Sequence, residues 1–283
     1  MDIYDEISAL KRAKRRGALA TIVNTRGSIP SATAAKMLVR EDGSIAGTIG
    51  GGQVEAEVRR GAMIVMQEEK PRTYTFQLDQ MPDDDPGLIC GGSLEVFVEP
   101  IVPAPPLYIF GAGHIGHFLS RAAFLAGFEV TVVDDRAEYA NRERFPEAHE
   151  VHAIAMDEVK QRIQPSSAAF IAIVTRGHRQ DLEVLRWALG TEARYIGMIG
   201  SARKVLTVFQ QLENEGAKHE ALERVYAPIG LDIAAITPEE IAVSIVAELI
   251  AVRRGSRTAP SLRERMRNKG SKAGAVANLD SIK

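Results

Sequence analysis

A candidate phosphate-binding turn lies around Gly111. A short apolar run, Leu107–Phe110, ends in Gly111-Ala112-Gly113-His114-Ile115-Gly116, a Gly-x-Gly-x-x-Gly turn. A second apolar run, Phe128–Val133, ends in Asp134-Asp135, and Asp134 lies 23 residues after Gly111. The order is strand, glycine turn, helix, strand, acid. A separation of roughly 20 residues suits a carboxylate that accepts from a ribose. Gly111 would allow the tight turn, Gly113 the approach of a pyrophosphate, and Gly116 the close packing of helix on strand. The helix N-terminus would then offer unpaired N–H groups and its positive dipole end to a phosphate. His114 lies beside that position, as a ligand contact or as a partly exposed polar residue. A glycine-rich turn that binds nothing would carry the same motif.

Three other places could bear on a ligand. Gly50-Gly51-Gly52 precedes a helical pattern, and three consecutive glycines are costly in backbone entropy. They fit an anion or ring-edge site, or close packing against a neighbouring strand. Cys90 is the single cysteine, set between an apolar run and Gly91-Gly92. It is a small buried hydrophobe by residue type, or an accessible reactive or ligating thiol by its glycine neighbours. Arg203 and Lys204 follow the strand-like run Arg194–Ile199 and would sit in the first turn of a helix capped by Ser201. The dipole disfavours cations there by roughly 0.3–1 kcal/mol each. They either neutralise a bound anion or are solvated surface residues.

These candidates need elements to position them. Asp2–Arg16 reads as an amphipathic helix. Ala18–Val23, Ala35–Arg40, Ser44–Ile49, Thr73–Leu78 and Ser93–Val98 read as strands, with a hairpin turn at Asp42-Gly43. Asn24–Pro30 reads as a loop, Gln53–Glu68 as a helix of about four turns, and Met81–Pro86 as an acidic turn. Pro100–Pro106 holds four prolines in seven residues and reads as an extended spacer. Beyond it, strands at Val151–Ala155, Ala168–Val174 and Arg194–Ile199 alternate with helices at Arg179–Leu189 and Ser201–Glu215. That pattern predicts a parallel sheet covered on both faces, with ligands at the carboxyl ends of its strands. Thr237-Pro238-Glu239-Glu240 is a capping box opening a strongly apolar helix, expected to be buried in its domain or in a dimer contact. Residues 253–272 hold eight Lys/Arg and one acid, Glu264, and read as a disordered basic tail or an arm for an acidic partner.

The expected fold is α/β: a C-terminal Rossmann-like parallel sheet domain preceded by a smaller α+β domain. The expected divisions are 1–100, a proline-rich linker 101–106, a Rossmann-like domain 107–255, and a tail 256–283. The chain has 283 residues, 45% hydrophobic and 25% charged, with a net charge of −2. This excludes a global nucleic-acid or membrane-surface footprint. No run approaches the roughly 18 apolar residues of a membrane span. Residues 1–17 lack an apolar signal core, and a cytoplasmic protein is expected. One cysteine excludes an intrachain disulfide and a multi-thiolate metal site.

The ordered blocks carry a family resemblance. They include Gly27-Ser28-Ile29-Pro30, Lys36-Met37-Leu38-Val39, Gly47–Glu55, Cys90-Gly91-Gly92, Glu95–Pro100 and Gly111–Gly116. Further blocks are Val133–Arg136, Thr175-Arg176-Gly177-His178, Gly200-Ser201, Pro228–Leu231 and Thr237–Glu248. From about residue 1 to about residue 255 the chain resembles the XdhC/CoxI family, accessory proteins for molybdenum hydroxylases such as xanthine dehydrogenase. The resemblance implies a chaperone more than a catalyst. Such a protein binds the molybdenum cofactor, protects it while its terminal sulfido ligand is installed, and aids insertion into an apo-hydroxylase. It implies as partners that hydroxylase, a sulfur-donating desulfurase and a second copy in a homodimer. The match departs at Ser31–Ala35, where the family carries an Arg and a Gly and this chain has neither.

On this reading Gly50, Gly51, Gly52 and Cys90 serve the pterin and metal end of a molybdopterin, with Cys90 as soft ligand to molybdenum. Gly111, Gly113, His114 and Gly116 hold phosphate, Arg203 and Lys204 are countercharges, and Asp134 meets a ribose if the ligand is a dinucleotide. The alternative is an NAD(P)-dependent oxidoreductase. Asp134 favours NAD over NADP and Arg136 weakens that preference; His114 and His178 are the acid–base candidates at strand ends. A protein-binding scaffold with purely structural glycine turns is the third reading.

Overall fold

A computed structural model describes residues 2–27, 34–78 and 92–256. The chain divides into two compact units, residues 1–103 and 104–283.

The first unit is a five-stranded antiparallel sheet with a helix on each face. Its strands are β1 (Gly17–Gly27), β2 (Lys36–Arg40), β3 (Ile45–Gly47), β4 (Arg72–Gln77) and β5 (Gly92–Ile101), in the order β3-β2-β1-β5-β4. Side chains alternate across β1, as the two-residue period requires. Ala18, Ala20 and Ile22 pack with Val54, Val58, Ala62 and Val65 of α2 (Gly52–Glu68). Leu19 packs oppositely with Leu10, Ile3 and Ile7 of α1 (Ile3–Arg12). The residues that read as a loop, Asn24–Gly27, continue β1, because a bulge between Ile22 and Asn24 lets pairing with β5 resume. The acidic turn 81–86 and Cys90 lie outside the described residues, as do Ser31–Thr33 and residues 257–283.

Strand β5 runs to Ile101 and β6 (Pro106–Phe110) starts five residues later, so the sheets take both ends of the proline-rich stretch and leave residues 102–105 between them. The second unit continues with α3 (His114–Leu125), β7 (Glu129–Asp134), β8 (Glu150–Ala153), α4 (Met156–Arg162), β9 (Phe170–Ile173) and α5 (His178–Leu189). It ends with β10 (Tyr195–Met198), α6 (Ala202–Asn214), α7 (His219–Glu223), β11 (Val225–Tyr226) and α8 (Pro238–Arg253). Its six strands are all parallel, in the order β11-β10-β9-β6-β7-β8. Two halves diverge from β6, so the topological switch point lies between β6 and β9, where such sheets bind ligands.

Alternation again sorts the strands. Leu107, Ile109, Phe170 and Ala172 face Leu119 and Ala123 of α3 and Ile245 and Leu249 of α8. Phe110, Ile171, Ile173, Ile196 and Met198 face Leu182 and Leu185 of α5 and Val205 and Val208 of α6. The capping box of α8 forms: Thr237 Oγ1 accepts from the Glu240 amide (3.3 Å), and the Glu240 carboxylate accepts from the Thr237 amide (3.1 Å). Ile250 of α8 is exposed. Among the described residues no helix is long and apolar enough to cross a membrane.

Candidate functional site at the carboxyl end of the parallel sheet

The three glycines after β6 meet different surroundings. Gly111 sits at φ +119°, and a Cβ there would lie 2.4 Å from the Val174 carbonyl oxygen. A Cβ on Gly116 would lie 1.9 Å from the Gly111 carbonyl oxygen. Both positions are therefore filled by the protein's own backbone. Gly113 differs: its φ is −72°, and a Cβ there would meet no atom within 4 Å. Gly113 is also the N-cap of α3, and no side chain caps the helix. An open approach to unpaired helix N–H groups at the switch point of a doubly wound sheet suits a phosphate. His114 opens the first turn of α3 and is exposed.

Asp134, at the end of β7, is already engaged. One oxygen accepts from the Ala112 amide (2.8 Å) and Arg136 Nη2 (2.9 Å); the other accepts from Arg136 Nε (2.8 Å) and the Arg136 amide (3.1 Å). Burial pushes its pKa up, but the Arg136 side chain and the two amides outweigh this and hold it down at about 2. The Arg136 guanidinium also stacks on Tyr139, 3.8 Å from the ring centroid. Asp134 thus anchors the glycine turn through Ala112, and Arg136 is committed to Asp134.

Beside the turn lies a cleft of about 290 Å³. Its floor includes Gly111, Phe110 and Asp134, and its walls include Ile154, Met156 and Val184. Asp135, Asp157, Gln180 and Glu183 complete it, and no Lys or Arg lines it. Asp135 is held in place by Arg176 Nη2 (3.0 Å) and Gln180 Nε2 (3.2 Å). Four lining carboxylates, of which Asp134 and Asp135 are each ion-paired to an arginine, make a site that accepts from hydroxyl and amino groups. Asp157 and Glu183 carry no sequence motif. Only the packing of α4 and α5 on one face of the sheet brings them here.

Lys204 and Arg203 separate. The Lys204 ammonium is ion-paired to Asp181 of α5, a carboxylate with no exposed surface, whose other oxygen accepts from the Thr175 hydroxyl (2.6 Å). A buried carboxylate therefore accounts for a cation in the first turn of α6, and Lys204 is drawn inward. Arg203 is exposed, as are Arg176, His178 and Arg179 around the start of α5. The three arginines rim the end of the sheet whose cleft is acidic.

In the first unit, Gly50, Gly51 and Gly52 take φ of +122°, +78° and +63°. A Cβ on Gly51 or Gly52 would meet nothing within 4 Å, so the left-handed backbone, not close packing, calls for glycine at these two positions. Glu55, in the first turn of α2, accepts from the Gly51 amide (3.2 Å) and the Thr48 hydroxyl (2.8 Å). The chain's own carboxylate therefore takes the Gly51 N–H. Among the described residues no group of three or more His, Cys, Asp or Glu is arranged to hold a metal ion.

Comparison with known proteins adds to this geometry. The family model described as the XdhC Rossmann domain matches residues 107–249, and that of the XdhC and CoxI family matches residues 10–77. Escherichia coli YqeB is 36% identical over 254 residues, covering 89% of this chain and 46% of that protein, so the chain spans about half its length. The molybdenum cofactor insertion chaperone PaoD, also from Escherichia coli, is 25% identical over 264 residues, 83% of each chain. A crystal structure described as a xanthine dehydrogenase from Bacillus halodurans matches with a TM-score of 0.51 and 25% identity, over 94% of this chain and 100% of that one. With a Rossmann model over residues 107–249 and a second family model over residues 10–77, the chain belongs to the XdhC and CoxI family.

Proposed function

We propose that the chain is an accessory protein that binds the molybdenum cofactor and supports its sulfuration and its insertion into a xanthine dehydrogenase-type molybdenum hydroxylase. The observation that carries this reading is Gly113, an open, uncapped helix N-terminus at the switch point of the parallel sheet. A phosphate fits there on backbone N–H groups alone. If the cofactor is in a dinucleotide form, its nucleoside fits the adjoining acid-lined cleft, with Asp135 in the ribose role that the motif gives to Asp134. PaoD, similar over most of both chains, is itself a molybdenum cofactor insertion chaperone.

When bound, the cofactor supplies the metal and its terminal sulfido position; the chain binds, orients and shields. Cys90 is proposed to face the metal end as a thiolate. An apo-hydroxylase and a sulfur-donating desulfurase are the proposed protein partners, in the cytoplasm.

The test is metal analysis and mass spectrometry of protein purified from a molybdenum-replete host. The parent chain should carry molybdenum and a pterin phosphate. Gly113→Val should retain about ten-fold less, equivalent to about 1.4 kcal/mol, with an unchanged circular dichroism spectrum. Equal retention in both proteins would remove the glycine turn from the cofactor site. Cys90→Ser should lower molybdenum content without unfolding the chain, and an unchanged content would remove Cys90 from the metal end.

A second reading, an NAD-dependent oxidoreductase, is favoured by one observation: the carboxylates at the ribose position of the cleft. Titration with NADH and NADPH separates the two readings. Tight NADH binding with turnover of a carbonyl substrate would favour the enzyme.

A further inference from the structure

We propose that Arg176 is an exchanging phosphate clamp: it pairs with Asp135 in the free protein and moves to the ligand's phosphate when a ribose hydroxyl takes Asp135. The proposal rests on the reading of Gly113 and the adjoining cleft as a phosphate and nucleoside site. Two Asp–Arg pairs stand side by side at the end of β7, and they differ in kind. Asp134 accepts three hydrogen bonds from Arg136 and one from the Ala112 amide, and the two side chains are only 6% and 21% exposed. Breaking a pair so enclosed leaves a charge uncompensated. Asp135 and Arg176 share a single bond, from Nη2 (3.0 Å), and are 39% and 49% exposed. Such a pair contributes little and exchanges readily. Among the described residues Arg176 has no second hydrogen-bond or ion-pair partner. Gln180 Nε2 donates to the same Asp135 oxygen (3.2 Å), so Asp135 keeps a donor when Arg176 leaves.

Placement puts the exchange at the phosphate site. Asp135 follows β7 and Arg176 follows β9, and β6 lies between these strands in the sheet. The pair therefore passes over the end of β6, where the glycine turn begins. The loop carrying Arg176 touches that turn: a Cβ on Gly111 would lie 2.4 Å from the Val174 carbonyl oxygen and 2.9 Å from the Thr175 amide nitrogen. The loop itself is pinned, because the Thr175 hydroxyl donates to buried Asp181 (2.6 Å). What is free to move is the Arg176 side chain.

The chemistry of the two ligand ends drives the exchange. A ribose hydroxyl donates to Asp135 as Arg176 does, so the two compete for one acceptor. A guanidinium grips two phosphate oxygens with its planar fork, a stronger contact than its one bond to Asp135. Seating the nucleoside thus frees the cation beside the diphosphate, and the two ends of the ligand bind with positive coupling. A phosphate without a nucleoside must first compete with Asp135 for Arg176.

Calorimetric titration of the full chain with adenosine, ADP and inorganic pyrophosphate tests this. Arg176→Ala should weaken ADP binding about ten-fold and leave adenosine unchanged or up to about three-fold tighter. Asp135→Asn should tighten pyrophosphate binding about five-fold in the parent, but less than about two-fold when Arg176→Ala is already present. Arg176→Gln takes the place of Arg176→Ala if that variant misfolds. Equal losses of ADP and adenosine affinity would make Arg176 a structural residue and overturn the proposal. An equal pyrophosphate gain in both backgrounds would also overturn it, because Asp135 would then act by repulsion alone. So would a parent that binds neither ADP nor pyrophosphate. The molybdenum and pterin content of the purified protein decides separately on the accessory reading, so the two failures are told apart.

Discussion

Gly111, Gly113 and Gly116 share one motif but answer three physical demands, and substitution should separate them. Alanine at Gly111 or Gly116 drives a methyl into backbone carbonyl oxygens at 2.4 and 1.9 Å, and Gly111 is also left-handed. Gly116→Ala should therefore lower stability by about 2–4 kcal/mol in urea unfolding, as overpacking against an unyielding neighbour does. Gly113 has an ordinary backbone and open space, so Gly113→Val should change stability by under about 1 kcal/mol while it blocks the phosphate approach. Asp134 belongs to the same turn. Its folded pKa of about 2 lies below the ordinary 3.8, so its ion pair contributes stability that is complete above pH 4 and lost as pH falls through 2. That interval corresponds to on the order of 2 kcal/mol. Asp134→Asn should be destabilised by about that amount at pH 7, and the difference from the parent should shrink steadily in urea titrations between pH 4 and pH 2. A constant difference would mean that the amide replaces the carboxylate at Ala112 and that charge contributes nothing.

At the scale of elements, the Asp181–Lys204 pair ties α5 to α6 beneath the ends of β9 and β10. Lys204→Met leaves a fully buried carboxylate uncompensated and should cost about 3–5 kcal/mol, measured by urea unfolding at pH 7. Asp181→Leu combined with Lys204→Met should recover most of that loss, since the pair is then replaced by apolar groups. A single-variant loss below about 1 kcal/mol would mean that Lys204 is a surface residue after all. This pair shows where sequence reading stops. Long periodic segments such as Gly52–Glu68 and the capped helix at Thr237 declare themselves by spacing, and apolar runs place the buried strands β6, β7, β9 and β10. Short elements do not: α7 and β11 are five and two residues long, too short for a period to repeat. Nor do partnerships that depend on tertiary geometry. Asp134 has the spacing of a ribose ligand, yet Arg136 two residues on takes both its oxygens. Asp157 and Glu183 have no motif, yet they line the cleft because α4 and α5 pack together on one face of the sheet.

At the scale of the molecule, each unit carries a complete core of its own. The first closes on Ala18, Val58, Val65 and Val96, and the second on two layers either side of its parallel sheet. The glycine turn and the acid-lined cleft both belong to the second unit, and residues 102–105 connect β5 to β6 along the chain. The second unit should therefore fold when expressed from residue 104 onward, with cooperative unfolding and a protected amide core in β6, β9 and β10. Its affinity for a diphosphate probe should stay within about two-fold of the full chain's, because the turn that would receive it lies within residues 107–134. NAD and NADP are suitable probes: the cleft presents carboxylates, and Arg136 is committed to Asp134, so the added 2′-phosphate of NADP should weaken binding by about ten-fold or more. Calorimetric titration of the full chain and of the excised unit measures both quantities together. Equal affinity for the two nucleotides would mean that the ribose does not reach the carboxylates. A full-chain affinity far above that of the excised unit would mean that the first unit contributes contacts to the nucleotide itself.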